Sequence, residues 1–445
     1  MADQPISRQR TLFQLSFPLF LHSFLMLAVV LLDFMIISAH SAEAAAAVNV
    51  ATQVLMVAYE FALLLGVGGV ILISHSLGRG DEEGARQIAA VTVLANTALG
   101  LAIGVALAIF GPLLVEWLNT PEKIADEATL YIQVVSVAMM FNGFMVASIA
   151  CLRGFGRSRS VLLLGAFAAL FYLAAEYVLI LGFGPVPRLG VFGSALGTLL
   201  MRVAAVIVLI VILVQVLGLR MRMGQALASK DLIRRLFALS IPSVSENIAY
   251  SFYQLILLGF ATAFGVAAVL SRAYVMIAGT FLTLVIMAIS HGNEVLLGYQ
   301  RGAGHSERAY NQALRSAVIA ASVSAALAML FYLGSDIFIG LFTNDPKVLA
   351  LGRELLFLTI FLKPGYAINA ILYHSLKAVG DVRWPVIVSL TITWGFSLPL
   401  AWLLCVHFDY GVAGIWYALI AEEAVKATLM YARWQAREWS QYVLA

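Results

Sequence analysis

Twelve apolar segments, each about twenty residues or longer and separated by short polar, Gly- or Pro-bearing breaks, leave this chain few ways to fold. They fall near 14–38, 46–75, 88–112, 126–151, 160–183, 190–217, 236–264, 267–298, 312–335, 348–376, 384–407 and 411–432. About twenty apolar residues in a helix cross the roughly 30 Å of a bilayer's hydrocarbon. A segment in lipid has to satisfy its own backbone hydrogen bonds, so each is expected to be helical. Composition points the same way: 62% of the 445 residues are hydrophobic and 11% charged, against about 25% charged in a soluble domain. Such a chain would aggregate in water. The expected fold class is all-α integral membrane, with about twelve transmembrane helices.

Lys and Arg set the expected orientation. With the N-terminus inside, nineteen of them fall on the cytoplasmic side and three (Lys123, Arg188, Lys347) outside, or five if Arg272 and Arg353 are added. That is a strong positive-inside bias, and with both termini cytoplasmic it requires an even number of spans. An inner (plasma) membrane location is expected. The polar start, with Arg8 and Arg10, precedes an apolar segment longer than a signal-peptide core, and no small-residue cleavage site is evident, so the first helix is expected to be retained. The net charge of +3, with no basic stripe interleaved with aromatics, gives no reason to expect a nucleic-acid partner. Cys151 and Cys405 fall at opposite ends of their helices and are not expected to pair.

The chain also repeats. Leu12-Phe13-Gln14-Leu15-Ser16-Phe17-Pro18 recurs as Leu236-Phe237-Ala238-Leu239-Ser240-Ile241-Pro242, an offset of 224. Gly78-Arg79-Gly80 recurs as Gly302-Ala303-Gly304, and Leu152-Arg153-Gly154-Phe155-Gly156 as Leu376-Lys377-Ala378-Val379-Gly380, both again at 224. Thr120-Pro121 matches Asp345-Pro346 at 225, and Gly190-Val191-Phe192-Gly193 matches Gly411-Val412-Ala413-Gly414 at 221. Five matches in order at a nearly constant offset indicate a duplicated unit. The unit holds six helices, an even number, so both copies share one orientation and their pseudo-two-fold axis lies along the membrane normal. The expected organisation is an N-terminal six-helix lobe (1–217), a basic linker (218–235) and a C-terminal six-helix lobe (236–445), working as a monomer. Two such lobes suit alternating access by rocking.

The repeated pieces are where a family resemblance lies. The chain resembles the multidrug and toxic compound extrusion (MATE) transporters over nearly its whole length. The resemblance is carried by Leu15-Ser16-Phe17-Pro18 followed by Asp33, by Gly66 and Gly68-Gly69 ahead of Leu77-Gly78-Arg79-Gly80, and by Leu152-Arg153-Gly154-Phe155-Gly156. It continues through Gly190-Val191-Phe192-Gly193-Ser194-Ala195, Leu376-Lys377-Ala378-Val379-Gly380-Asp381 and Gly411-Val412-Ala413-Gly414-Ile415-Trp416. It implies two six-helix bundles and export of organic, often cationic compounds against entry of H⁺ or Na⁺, with no other cofactor. There are departures. Glu176 stands where the family usually has Asp, Tyr366 falls near a place that holds an acid in some members, and Lys363, Glu60 and Glu294 match no family motif.

A charge at mid-membrane costs at least a few kcal/mol, so each invites a functional reading. Asp33 in the first segment, Glu176 in the fifth and Thr198 in the sixth share a depth of roughly 8–12 Å below the outer surface at 1.5 Å per residue. Two carboxyl groups sharing a site cannot both ionise, so the set can load and release a proton or hold Na⁺. The plain alternative is a protonated acid that fixes helix packing. Glu246 and Lys363 fall near mid-depth in the second half and are expected to pair, as a gate or substrate counter-charge or as a static ion pair. Asn142 and Asn247 are candidate polar groups of a substrate cavity, and aromatics such as Phe171, Tyr172, Tyr250 and Tyr366 could line it for flat cations. Glu422 and Glu423 with Lys426, three residues after the latter, suggest an ordinary intrahelical pair. His291 is placed to satisfy Glu294, and Arg202 to pair with an acid or touch substrate.

No G-x-x-x-x-G-K-[ST] occurs, so the chain carries no P-loop of its own and transport would be driven by an ion gradient. The closest rival is a lipid-linked precursor flippase, for which a large cationic cavity would be expected. An intramembrane enzyme would need a nucleophile–base set or a metal cluster, and the seven histidines scatter without metal-ligand spacing. Neither an enzyme nor a resident metal is expected.

Overall fold

A computed structural model of the chain describes residues 10–118, 120–219 and 229–442. The helices are α1 (Leu12–His40), α2 (Ala42–Ala62), α3 (Leu64–Gly78), α4 (Glu82–Trp117), α5 (Glu122–Gly154), α6 (Ser158–Leu181) and α7 (Gly190–Val211) in the first half. The second half has α8 (Lys230–Thr262), α9 (Val266–Gly302), α10 (Ser306–Leu333), the short α11 (Ser335–Gly340), α12 (Pro346–Ala378), α13 (Arg383–Ile392), α14 (Leu398–Trp402) and α15 (Gly411–Gln435). The twelve apolar segments correspond in order to these helices, with α2 and α3 forming one span and α13 and α14 another. Among the described residues, ten spans are long and apolar enough to cross a bilayer by length and composition alone. The other two, α8 and α15, are 33 and 25 residues long but more polar. They carry Glu246, Asn247 and Gln254, and Glu422, Glu423 and Lys426, respectively. Of the expected linker, residues 220–228 lie outside the described residues and 230–235 form the first turns of α8.

Contacts divide the described residues into two compact units, one within 21–244 and the other comprising 10–20 and 245–442. In the first, α4 and α5 meet over glycines: a Cβ on Gly100 would lie 2.8 Å from the Gly143 Cα. Small residues at such spacing let two backbones approach in lipid, where dispersion and polar contacts replace the hydrophobic drive. One turn earlier on α4, Asn96 secures the break between α2 and α3. Its amide donates to the Ala62 carbonyl at 2.9 Å and the Gly143 carbonyl at 2.7 Å, and its Oδ1 accepts from the Leu65 N–H at 3.3 Å. The Ala62 carbonyl and the Leu65 N–H are backbone groups at the break, and the bond to Gly143 ties that break to α5.

In the second unit the positions equivalent to Asn96, Gly100 and Gly143 by the offset of 224 are Ala320, Ser324 and Ala367, all buried. Here α9 runs unbroken for 37 residues, so no Asn is needed. The duplication is visible in tertiary contacts as well. In the first unit the Gly68 N–H donates to Ser240 Oγ at 3.0 Å. In the second, Ser16 packs so closely on Gly292 that no Cβ would fit there. Both residues of the second contact are related by that same offset to their counterparts in the first. The two helices that carry these serines, α1 and α8, are divided between the units just past their internal prolines, Pro18 and Pro242. A proline inside a helix removes one i→i−4 hydrogen bond and loosens the helix there.

Candidate cation-coupling site

The first turns of α7 carry Gly193-Ser194-Ala195-Leu196-Gly197, two glycines four residues apart that bring α6 against it. A Cβ on Gly193 would lie 2.5 Å from the Leu179 carbonyl oxygen, and one on Gly197 would lie 3.2 Å from Glu176 Cγ. That approach puts the fully buried Glu176 beside Ser194, whose hydroxyl donates to Glu176 Oε1 at 2.8 Å. The other neighbours of Glu176 are the Asp33 carboxyl and the Tyr172 hydroxyl. Thr198, one turn along α7, has its hydroxyl beside both Tyr131 and Tyr172. Asp33 and Glu176 thus meet within the first unit, and Thr198 is linked to them through the Tyr172 hydroxyl.

Hydrogen bonding leaves this cluster open. Glu176 Oε2 and Asp33 Oδ1 are buried and have no hydrogen-bond partner among the described residues. Two carboxyl groups in contact, away from water, cannot both stay charged without a cation between them. Such a pair can be kept neutral by one shared proton or by a small cation. Sequence reasoning singles out neither Tyr131 nor Ser194 as a site residue, and counts Tyr172 only among the cavity aromatics. A signal exists for two of them: Tyr172 precedes Glu176, and Ser194 precedes Thr198, by four residues, the spacing of one helix face.

One further turn along α7 stands Arg202, 6% exposed. Among the described residues it forms no salt bridge with an acid, contrary to one expectation. Its Nη2 donates to the Tyr59 hydroxyl at 2.8 Å and its guanidinium lies 5.1 Å from the Tyr59 ring centroid. Its Nε and Nη1 are buried with no hydrogen-bond partner among the described residues.

The second unit corrects two expectations. Glu246 and Lys363 do not pair. The Tyr373 hydroxyl donates to Glu246, while Lys363 donates to Thr283 Oγ1 at 2.8 Å and lies 5.0 Å from the Tyr366 ring centroid. Shared depth is readable in the sequence, but the direction in which each helix faces is not. Lys426 pairs with Glu422, four residues away, at 2.7 Å, rather than with Glu423 at three. Glu422 also accepts from Tyr253 at 2.9 Å, Ser397 at 2.7 Å and Thr393 at 2.8 Å. Glu423 accepts from Asn369 at 2.8 Å instead. Asn142 is buried and its amide lies 3.6 Å from Met139 Sδ on its own helix, whereas Asn247 is exposed on α8. Cys151 and Cys405 are both free and buried.

Two six-helix halves in one polytopic chain fit the internally repeated architecture of many membrane transporters. Comparison with known proteins gives the family. Residues 18–178 and 242–403, one stretch in each half, match the MatE family. An uncharacterized transporter of Bacillus subtilis, YisQ, is 30% identical over 443 residues, covering 99% of this chain and 97% of that one. A probable multidrug resistance protein NorM of Thermotoga maritima is 20% identical over 433 residues, covering 97% and 93%. A crystal structure of MATE in the straight conformation superposes with a TM-score of 0.86 at 19% identity, covering 96% of this chain and 95% of that one. The chain belongs to the MatE family of transporters and is not an enzyme.

Proposed function

We propose that this protein is a secondary antiporter of the cell's inner (plasma) membrane. It exports small organic, often cationic compounds in exchange for H⁺ or Na⁺ by alternating access, with both termini cytoplasmic. It works as a monomer, and the coupling ion is cargo rather than a resident cofactor. The observation that carries this reading is the Asp33–Glu176 pair, with an unpartnered oxygen on each carboxyl group and Ser194 anchoring one of them. Loading a proton or Na⁺ there neutralises the pair and releasing it restores the charge. The lobe therefore has two electrostatic states to couple to transport. Asn142, Glu246, Asn247 and Lys363 are assigned to substrate contact or gating.

The test is efflux of a cationic dye from liposomes holding the purified protein, under a pH gradient and then a Na⁺ gradient, for wild type and Asp33→Asn. Dye movement that follows one gradient and vanishes in the variant establishes the reading and names the ion. Coupled movement that survives Asp33→Asn removes the site. No movement under either gradient turns the assignment towards a lipid-linked cargo.

A further inference from the structure

The second unit contains a groove that the transport reading does not use. It has a volume of about 830 Å³ and is formed by the start of α1 with α9 and α10. This lies within the usual range for ligand pockets, about 300–1,000 Å³. Its lining is sorted by chemistry along its length. Arg10, Gln300 and Arg315 stand at one end, where α1 begins, α9 ends and α10 begins; Phe17, Phe20 and Phe281 line the rest. From Gln300 to Phe281 along α9 is about 28 Å at 1.5 Å per residue, enough to run through one bilayer leaflet, about half of a 30 Å core. Phe20 and Phe281 pack edge to face, ring centroids 6.0 Å apart, and Phe17 is 44% exposed on the open side.

Of the polar end, only Arg10 recurs in the duplicated unit, as Arg234; Gln300 and Arg315 do not. At the equivalent positions of the first half, by the same offset of 224, Arg315 is replaced by Val91 and Gln300 by Ser76, whose hydroxyl already donates to the Asp81 carbonyl at 3.0 Å. Gln300 Oε1, by contrast, is buried with no hydrogen-bond partner among the described residues. The groove thus offers two guanidinium groups and one open acceptor at its head, and aromatic rings along its body. Two arginines repel a cationic cargo and attract a phosphate. Basic pockets between transmembrane helices on the cytoplasmic side are where anionic head groups bind. This end carries Arg301 and Arg308 as well, on the side that the positive-inside pattern assigns to the cytoplasm.

We propose that this groove holds one anionic phospholipid of the cytoplasmic leaflet. Its phosphate sits on Arg10 and Arg315, a head-group hydroxyl donates to Gln300 Oε1, and its acyl chains lie along Phe17, Phe20 and Phe281. The measurement is native mass spectrometry of the full chain in neutral detergent with equimolar phosphatidylglycerol and phosphatidylcholine. Wild type is expected to retain one phosphatidylglycerol with about tenfold preference, the size of effect that about 1.4 kcal/mol gives. Arg10→Gln with Arg315→Gln removes the preference, while Arg234→Gln, the equivalent of Arg10 in the second copy of the repeat, keeps it. Melting temperatures without added lipid check that the double variant is folded; Arg315 is exposed and its loss leaves the core intact. Equal retention of the two lipids, or a preference that survives the double variant, overturns the proposal. So does displacement of the lipid by millimolar glycerol phosphate, which would make this a site for the free anion. None of these outcomes depends on transport.

Discussion

The two units carry the same helices and treat their buried charges in opposite ways. In the second, Glu422 has four partners, three hydroxyls and the Lys426 ammonium. In the first, Asp33, Glu176 and Arg202 each keep buried polar atoms that bond to nothing among the described residues. The repeat makes the contrast sharper. Counting on by 221, the offset of the last glycine motif, Tyr172 and Glu176 become Thr393 and Ser397, and Arg202 becomes Glu423. Counting by 224, Asp33 becomes Leu257, wholly buried in the apolar core. The acid has moved from the helix before the glycine motif to the helix after it, and its old place now supplies the hydroxyls that bind it. A fully satisfied buried network holds one arrangement rigidly. An unsatisfied one costs about 1–3 kcal/mol per group. The comparison sets a satisfied brace against the proposed site.

The largest effect is expected in the brace. Lys426→Met leaves Glu422 buried without its cation and should cost about 3–5 kcal/mol, read as a lowered melting temperature in detergent. Adding Glu422→Gln should restore most of it. A single variant as stable as wild type would mean that the second unit is not held by this pair. The site should behave in reverse. Asp33→Asn is expected to cut gradient-driven efflux about a hundredfold, about 2.7 kcal/mol of coupling, with the melting temperature almost unchanged. If stability falls and coupling does not, Asp33 is a brace too.

Next in size is Asn96→Leu, which strips two hydrogen bonds from the α2–α3 break and a third from its tie to α5, and should cost about 1–3 kcal/mol. Ala320→Gly, at the matching place beside an unbroken α9, should cost about 1 kcal/mol or less, the usual penalty of Gly in a helix. Similar losses for the two would show that the break is not what Asn96 secures. Smallest is Ser194→Ala. Losing its bond to Glu176 should cost about 1 kcal/mol and slow efflux a few-fold, whereas Ser397→Ala should lower stability without touching the ion dependence of efflux.

Much of this is legible in the order of residues alone. Runs of apolar residues and the constant offset between repeated motifs indicate twelve spans in two copies, and the depth of Asp33, Glu176 and Thr198 places them at one level. Depth alone misleads for Glu246 and Lys363, which share a level and face different neighbours. Spacing alone misleads for Lys426, because three and four residues both lie on one helix face and the hydroxyl of Thr393 draws the ammonium towards Glu422.

The sequence by itself determined that this chain spans a membrane as a duplicated six-helix unit, because hydrophobic length and backbone satisfaction in lipid admit no other form. Only the tertiary structure decided which polar groups are satisfied. That depends on the rotation of each helix about its axis, set by close contacts such as Gly193 on Leu179 and Gly197 on Glu176. It also depends on half-helices whose partners lie in the other half of the chain, such as Ser240 on Gly68. Composition and spacing fix how deep a side chain lies, and packing alone fixes what it meets there.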